Sequence, residues 1–167
     1  MPAVDLSPAV ATEPAAMAST YLFTATVSLG HHYGPIPMVG GGVRVVEPFT
    51  AGSIDGPDFH ATIHGGHASP IIVNDTKISA SLDGEAGVSV QYPYIYVYGT
   101  TEDGVPFYIE ETGVGNRASQ NTRLIINVGG KYSYLQTKYI VATMKFIEGG
   151  TKVAVDCFDI PFIAKAP

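Results

Sequence analysis

The sequence predicts a single all-β domain, an antiparallel β-barrel closed on itself. Three observations predict it. Nineteen glycines and twelve prolines break the 167-residue chain at short intervals. The runs between them are rich in Val, Ile, Thr, Tyr and Phe, and several alternate side by side in the way a pleated strand does. No stretch sustains the 3.6-residue period of an amphipathic helix. About ten strands without helices must pack as a sandwich or a barrel, and near-continuous hairpins favour the barrel because closure leaves no exposed edge.

In chain order, the expected strands are Tyr21–Leu29, Gly42–Pro48, Gly52–Ile54, Phe59–His64 and Lys77–Leu82. Val88–Tyr98, Pro106–Thr112, Thr122–Val128, Tyr132–Ile147 (with a bend) and Lys152–Phe162 complete them. Turns are expected at Asp55-Gly56-Pro57, Gly65-Gly66, Asp83-Gly84, Glu102-Asp103-Gly104 and Gly149-Gly150. Asp103-Gly104, flanked by two long β-rich runs, is the strongest hairpin signal. Residues 1–18 hold three prolines, Asp5 and Glu13 without an uninterrupted apolar core, so they read as a flexible tail and not as a secretory signal. The barrel domain is assigned to residues 19–167. No run reaches the roughly 18 apolar residues of a membrane helix, and a cytoplasmic location is expected.

Charged residues make up 14% of the chain against 46% hydrophobic, which points to a large buried surface and to a homo-oligomer. The net charge of −6, with no local Lys/Arg cluster, argues against nucleic acid as a partner. Membrane binding is likewise not expected. The single cysteine, Cys157, excludes an internal disulfide and reads as a small buried hydrophobe within an alternating stretch.

Chemistry-bearing side chains fall into two groups. His60, His64 and His67 form the densest titratable cluster, with His31 and His32 upstream. Along a strand four residues span about 13 Å, too far for His60 and His64 to share one zinc, so no metal site is expected. His60, Thr62 and His64 share one strand face and Phe59, Ala61 and Ile63 the other. If the histidine face lines a cavity, two imidazoles can move protons there; if it faces water, they are surface residues.

Tyr92, Tyr94, Tyr96 and Tyr98 alternate with Pro93, Ile95 and Val97, so four phenols share a face. Such a stripe suits the wall of a pocket for an oxygenated, flat molecule, or else an exterior aromatic ladder or subunit interface. The adjoining strand places Tyr108 and Glu110 on one side and Phe107, Ile109 and Glu111 on the other. One of the two carboxylates must point inward, where its pKa would rise. The expected catalytic residues are His60, His64, Tyr94, Tyr96 and Glu110, with Tyr92, Tyr98, Tyr108 and His67 binding substrate. There is no Gly-x-Ser-x-Gly elbow, no phosphate-binding loop and no nucleotide or flavin signature, so no cofactor is expected.

The order of motifs resembles domain of unknown function 3237, an uncharacterised barrel family. The matching pieces are Phe23–Gly30 (FTATVSLG), Gly52–Pro57 leading into Phe59–Gly66 (FHATIHGG), Tyr96–Val114 (YVYGTTEDGVPFYIEETGV) and the closing pair Tyr134–Phe146 and Lys152–Ile160. The resemblance implies a compact β-barrel and no particular activity; the expected barrel is lipocalin/calycin-like or allene-oxide-cyclase-like. Relatives carry an Asp and an aromatic just after the Gly-Gly pair, where this chain has His67-Ala68-Ser69. The function expected from these residues is a cofactor-independent cyclase or isomerase acting on a hydrophobic, oxygenated small molecule in specialised metabolism. Two alternatives stand beside it: a non-catalytic carrier or sensor barrel, and a structural barrel whose tyrosine stripe builds an oligomer.

Overall fold

Alternation along the chain becomes a wall with an apolar inside and a polar outside. The computed structural model describes residues 17–73 and 89–162. Eleven strands lie within them: β1 (Thr20–Leu29), β2 (Tyr33–Pro37), β3 (Val43–Asp55), β4 (His60–Ala68), β5 (Ile71–Val73), β6 (Val90–Tyr92), β7 (Tyr94–Thr101), β8 (Pro106–Gly115), β9 (Gln120–Val128), β10 (Ile140–Ile147) and β11 (Lys152–Asp159). Eight of them close a ring in the order β1, β11, β10, β9, β8, β7, β4, β3 and back to β1, every neighbour antiparallel. The predicted closed barrel is the observed architecture. The three short strands extend the sheet past one end: β2 and β5 pair with the first half of β3, and β6 joins β5 to β8.

Several local expectations change. The segments Gly42–Pro48 and Gly52–Ile54 belong to one strand, β3, long enough to pair with different partners along its two halves. Gly65-Gly66 is no turn. Strand β4 runs through it, with a bulge between Ile63 and Gly65 against β7. Gly66 adopts φ 144°, and a Cβ there would run into the Tyr96 carbonyl, so the close approach of β4 to β7 needs glycine. The expected run Val88–Tyr98 breaks at Pro93, which has no N–H to donate to a ladder. Tyr132–Ile147 begins as a 3-10 helical segment, Gly130–Thr137, and only becomes strand at Ile140. Tyr33–Pro37 forms a short strand that the proline-rich sequence concealed. The Asp103-Gly104 hairpin stands between β7 and β8, with Gly104 at φ 81°. Residues 1–16, Lys77–Leu82 and Asp83-Gly84 lie outside the described residues.

The core occupies the bore of the barrel and is densest at one end. At one end Phe59 packs against Phe23, Phe107 and Tyr132, with ring centroids 5.3, 6.2 and 5.2 Å away. Tyr132 and Leu135 come from the 3-10 segment, which plugs this end. Cys157 is fully buried, and burial holds its thiol well above the ordinary range, so it is an inert core group. Among the described residues no helix is long and apolar enough to cross a membrane.

Candidate functional site: a carboxyl in an apolar barrel cavity

Beyond the aromatic plug the bore opens into a cavity of about 40 Å³. Its walls come from alternate residues of the ring strands, among them Val27, Phe49, Ile63, Val97, Ile109 and Met144. One lining side chain is ionisable: Glu111, from β8. Strand parity puts it there, since Phe107, Ile109 and Glu111 share the inner face. Glu111 is 3% exposed. Thr122 of β9 donates its hydroxyl proton to Glu111 Oε1 and lies 3.4 Å from the Ala142 carbonyl. Burial pushes the Glu111 pKa up to about 7, against the opposing pull of the Thr122 hydrogen bond.

This environment accommodates both protonation states. As a carboxylate, Glu111 accepts from Thr122. As an acid, it can donate to Thr122 Oγ1 while that hydroxyl turns to the Ala142 carbonyl. A carboxyl titrating near neutrality can either take or give a proton at ordinary pH. Higher on the same wall Gln120 Nε2 donates to Gln91 Oε1 at 2.9 Å, a buried amide pair. The interior is therefore apolar on most sides and polar along β8 and β9.

The residues expected at the site sit elsewhere. Glu110 points outward beside Tyr96 and Ile125, and its neighbour Glu111 is the interior carboxyl. His60 and His64 are exposed on the outer wall; His60 lies 3.5 Å from Asp55, and His64 Nε2 is 2.9 Å from Thr100 Oγ1. Tyr94 and Tyr96 are half-buried on the outside while Ile95 and Val97 face in. For the histidines and tyrosines the reason is that a phenol or imidazole without an interior partner costs more to bury than an aliphatic chain, and for Glu110 it is that Phe107 and Ile109 carry the opposite face of β8 inward. Tyr92 is half-buried on β6, outside the eight-stranded ring. His67, Tyr96, Tyr98 and Tyr108 do come together, but around a shallow outer groove with Gly66. There the His67 and Tyr96 rings are 5.4 Å apart and the Tyr96 and Tyr108 rings 6.4 Å. Tyr98 lies across Gly65, covering the backbone of the bulge.

Thr122 carried a parity signal in the sequence, sharing a strand face with Leu124, Ile126 and Val128. Glu111 carried one too: it shares strand parity with Phe107 and Ile109, the most apolar residues of its strand. Among the described residues no group of three or more His, Cys, Asp or Glu side chains could hold a metal ion.

No family profile matches the sequence, and no curated protein matches it. Solved structures do. A conserved protein of unknown function from Rhodopseudomonas palustris superposes with a TM-score of 0.71 at 17% identity, covering 89% of this chain and 100% of that one. A β-barrel-like protein from Acinetobacter baumannii gives 0.67 at 16%, covering 89% and 99%. An enzyme from Penicillium herquei gives 0.64 at 16%, covering 91% and 100%. At these identities the likeness establishes the barrel fold alone.

Proposed function

We propose that the protein is a cofactor-independent isomerase or cyclase that moves a proton within a small, hydrophobic, oxygenated substrate, with Glu111 as the acid–base group. The observation that carries this is the enclosure of one titratable carboxyl in an otherwise apolar cavity. An apolar wall shapes and desolvates a substrate, and a single carboxyl poised near neutrality can remove a proton from a carbon next to a carbonyl and return it elsewhere. Thr122 positions the carboxyl and holds its pKa from rising further. The cavity volume favours a slender substrate or the tail of one: 40 Å³ takes about three water-sized groups. That one structural neighbour is described as an enzyme supports a catalytic reading of the fold without indicating a reaction. The outer tyrosines and histidines take no part in this chemistry.

The test needs no knowledge of the natural substrate. Small apolar ketones and hydroxyketones are incubated with the protein in heavy water, and deuterium uptake is followed by mass spectrometry. Exchange faster than in buffer, and slowed about a hundredfold or more in Glu111→Gln, is the expected result. A ketone that binds in the barrel without exchanging would make the protein a carrier.

A further inference from the structure

An ion pair crosses the mouth of the barrel above the cavity. Glu47 pairs across β3 and β4 with Ala68, which lines the cavity, so its carboxylate lies on the inner face. Its side chain is only 13% exposed. Arg117 stands in the β8–β9 turn, and its Nη1 donates to Glu47 Oε1 at 3.2 Å. Around the ring, β3 is separated from β8 by β4 and β7, and from β9 by β1, β11 and β10. The bond therefore spans the opening. The guanidinium carbon also lies 4.4 Å from the ring centroid of Phe146, which has the same strand parity as the cavity residue Met144.

The turn under Arg117 is pinned, and its side chain, held by Glu47 and Phe146, keeps most of its surface open to water. Asn116 Oδ1 accepts from the backbone N–H groups of Ala118 at 2.7 Å and Ser119 at 3.0 Å, and Gln120 Nε2 donates to the Asn116 carbonyl at 3.2 Å. The Arg117 side chain is 61% exposed. Among the described residues Glu47 Oε1 is its one hydrogen-bond acceptor, so most of the guanidinium fork is open to another.

We propose that Arg117 recognises the polar head of the barrel's ligand, and that this ligand is an apolar molecule ending in a carboxylate. This rests on the reading of the cavity as a ligand chamber. A molecule entering by the mouth must part the pair. A neutral head would leave the guanidinium without its anion. A carboxylate head replaces the single contact to Glu47 with the two parallel N–H···O bonds that a guanidinium fork favours, while Glu47 swings to water. The apolar remainder then lies among Phe49, Met144 and the aliphatic wall. Glu47 is the resting occupant of the position the ligand takes.

Hexanoate and hexan-1-ol share a chain and differ in the charge of one end, so they are the probes. Isothermal titration calorimetry of the wild-type protein should show hexanoate binding about tenfold more tightly than hexan-1-ol. Arg117→Gln should bring the two within about twofold of each other without weakening hexan-1-ol, and Arg117→Lys should keep part of the preference. Glu47→Gln should tighten hexanoate by removing its competitor. If the wild-type protein binds both probes equally, or Arg117→Gln keeps the full preference, the inference fails and the chamber stands. If neither probe binds to the wild type or to any of the three variants, the chamber itself is wrong and the inference falls with it.

Discussion

At one end of the barrel Phe23, Phe59, Phe107 and Tyr132 fill the bore edge to face; at the other, the same strands line a cavity holding a buried carboxyl and bridged by an ion pair. The inner positions obey one parity rule throughout, and side-chain size separates the two ends. Large rings and the 3-10 plug close the first. Smaller chains, such as Ala25, Val27 and Ala68, leave space in the second. A buried, ionisable Glu111 works against folding, and the aromatic end supplies stability to offset it.

Substitutions can break this comparison, and the largest effect belongs to the aromatic end. Phe59→Ala should lower the unfolding free energy by about 3–5 kcal/mol in urea titrations, because the rings around it cannot collapse into the void. Met144→Ala, beside an existing cavity, should cost about 2 kcal/mol, near the lower limit for such a change. Equal losses at the two positions would mean that the ends are packed alike.

The next effect belongs to Glu111 and depends on pH. Its carboxyl titrates near 4.5 in the unfolded chain and at about 7 in the folded one. Between those values the native protein holds a proton that the unfolded chain has released, so stability is fully present below pH 4.5 and falls as pH rises to 7. The fall should be about 3 kcal/mol, then level off. Glu111→Gln should flatten that part of the profile and leave the variant more stable than the wild type at pH 8. An unchanged slope would show that Glu111 is hydrated in the native protein.

Thr122→Val sharpens the same comparison on a smaller scale. Losing a hydrogen bond that favours the charged carboxyl should cost about 1 kcal/mol and move the midpoint of the pH profile upward. A downward move would exclude Thr122 as the donor. The smallest effect is expected outside. His60→Ala and His64→Ala should each change stability by about 0.5 kcal/mol or less and leave deuterium exchange untouched. A large loss of exchange in either would return the outer wall to the mechanism.

The sequence alone determined the barrel and the division of each strand into two faces. Glycine and proline punctuation marks where chains turn, and period-2 alternation marks which residues travel together; both are local properties. It paired Glu111 with Phe107 and Ile109, and Tyr96 with Tyr98, without saying which set looks inward where polar and aromatic groups occur on both. It also misread Gly65-Gly66 as a turn, because a close approach between β4 and β7 and a tight corner ask for the same residue. Only closure of the ring decided these points. Once the strands curl, the interior is a shared volume that all eight must fill, and desolvation sends the tyrosines and histidines of β4 and β7 out to water. The same closure brings Arg117 to Glu47, 70 positions away in the chain, across the mouth. No local pattern can encode a contact between opposite sides of a ring.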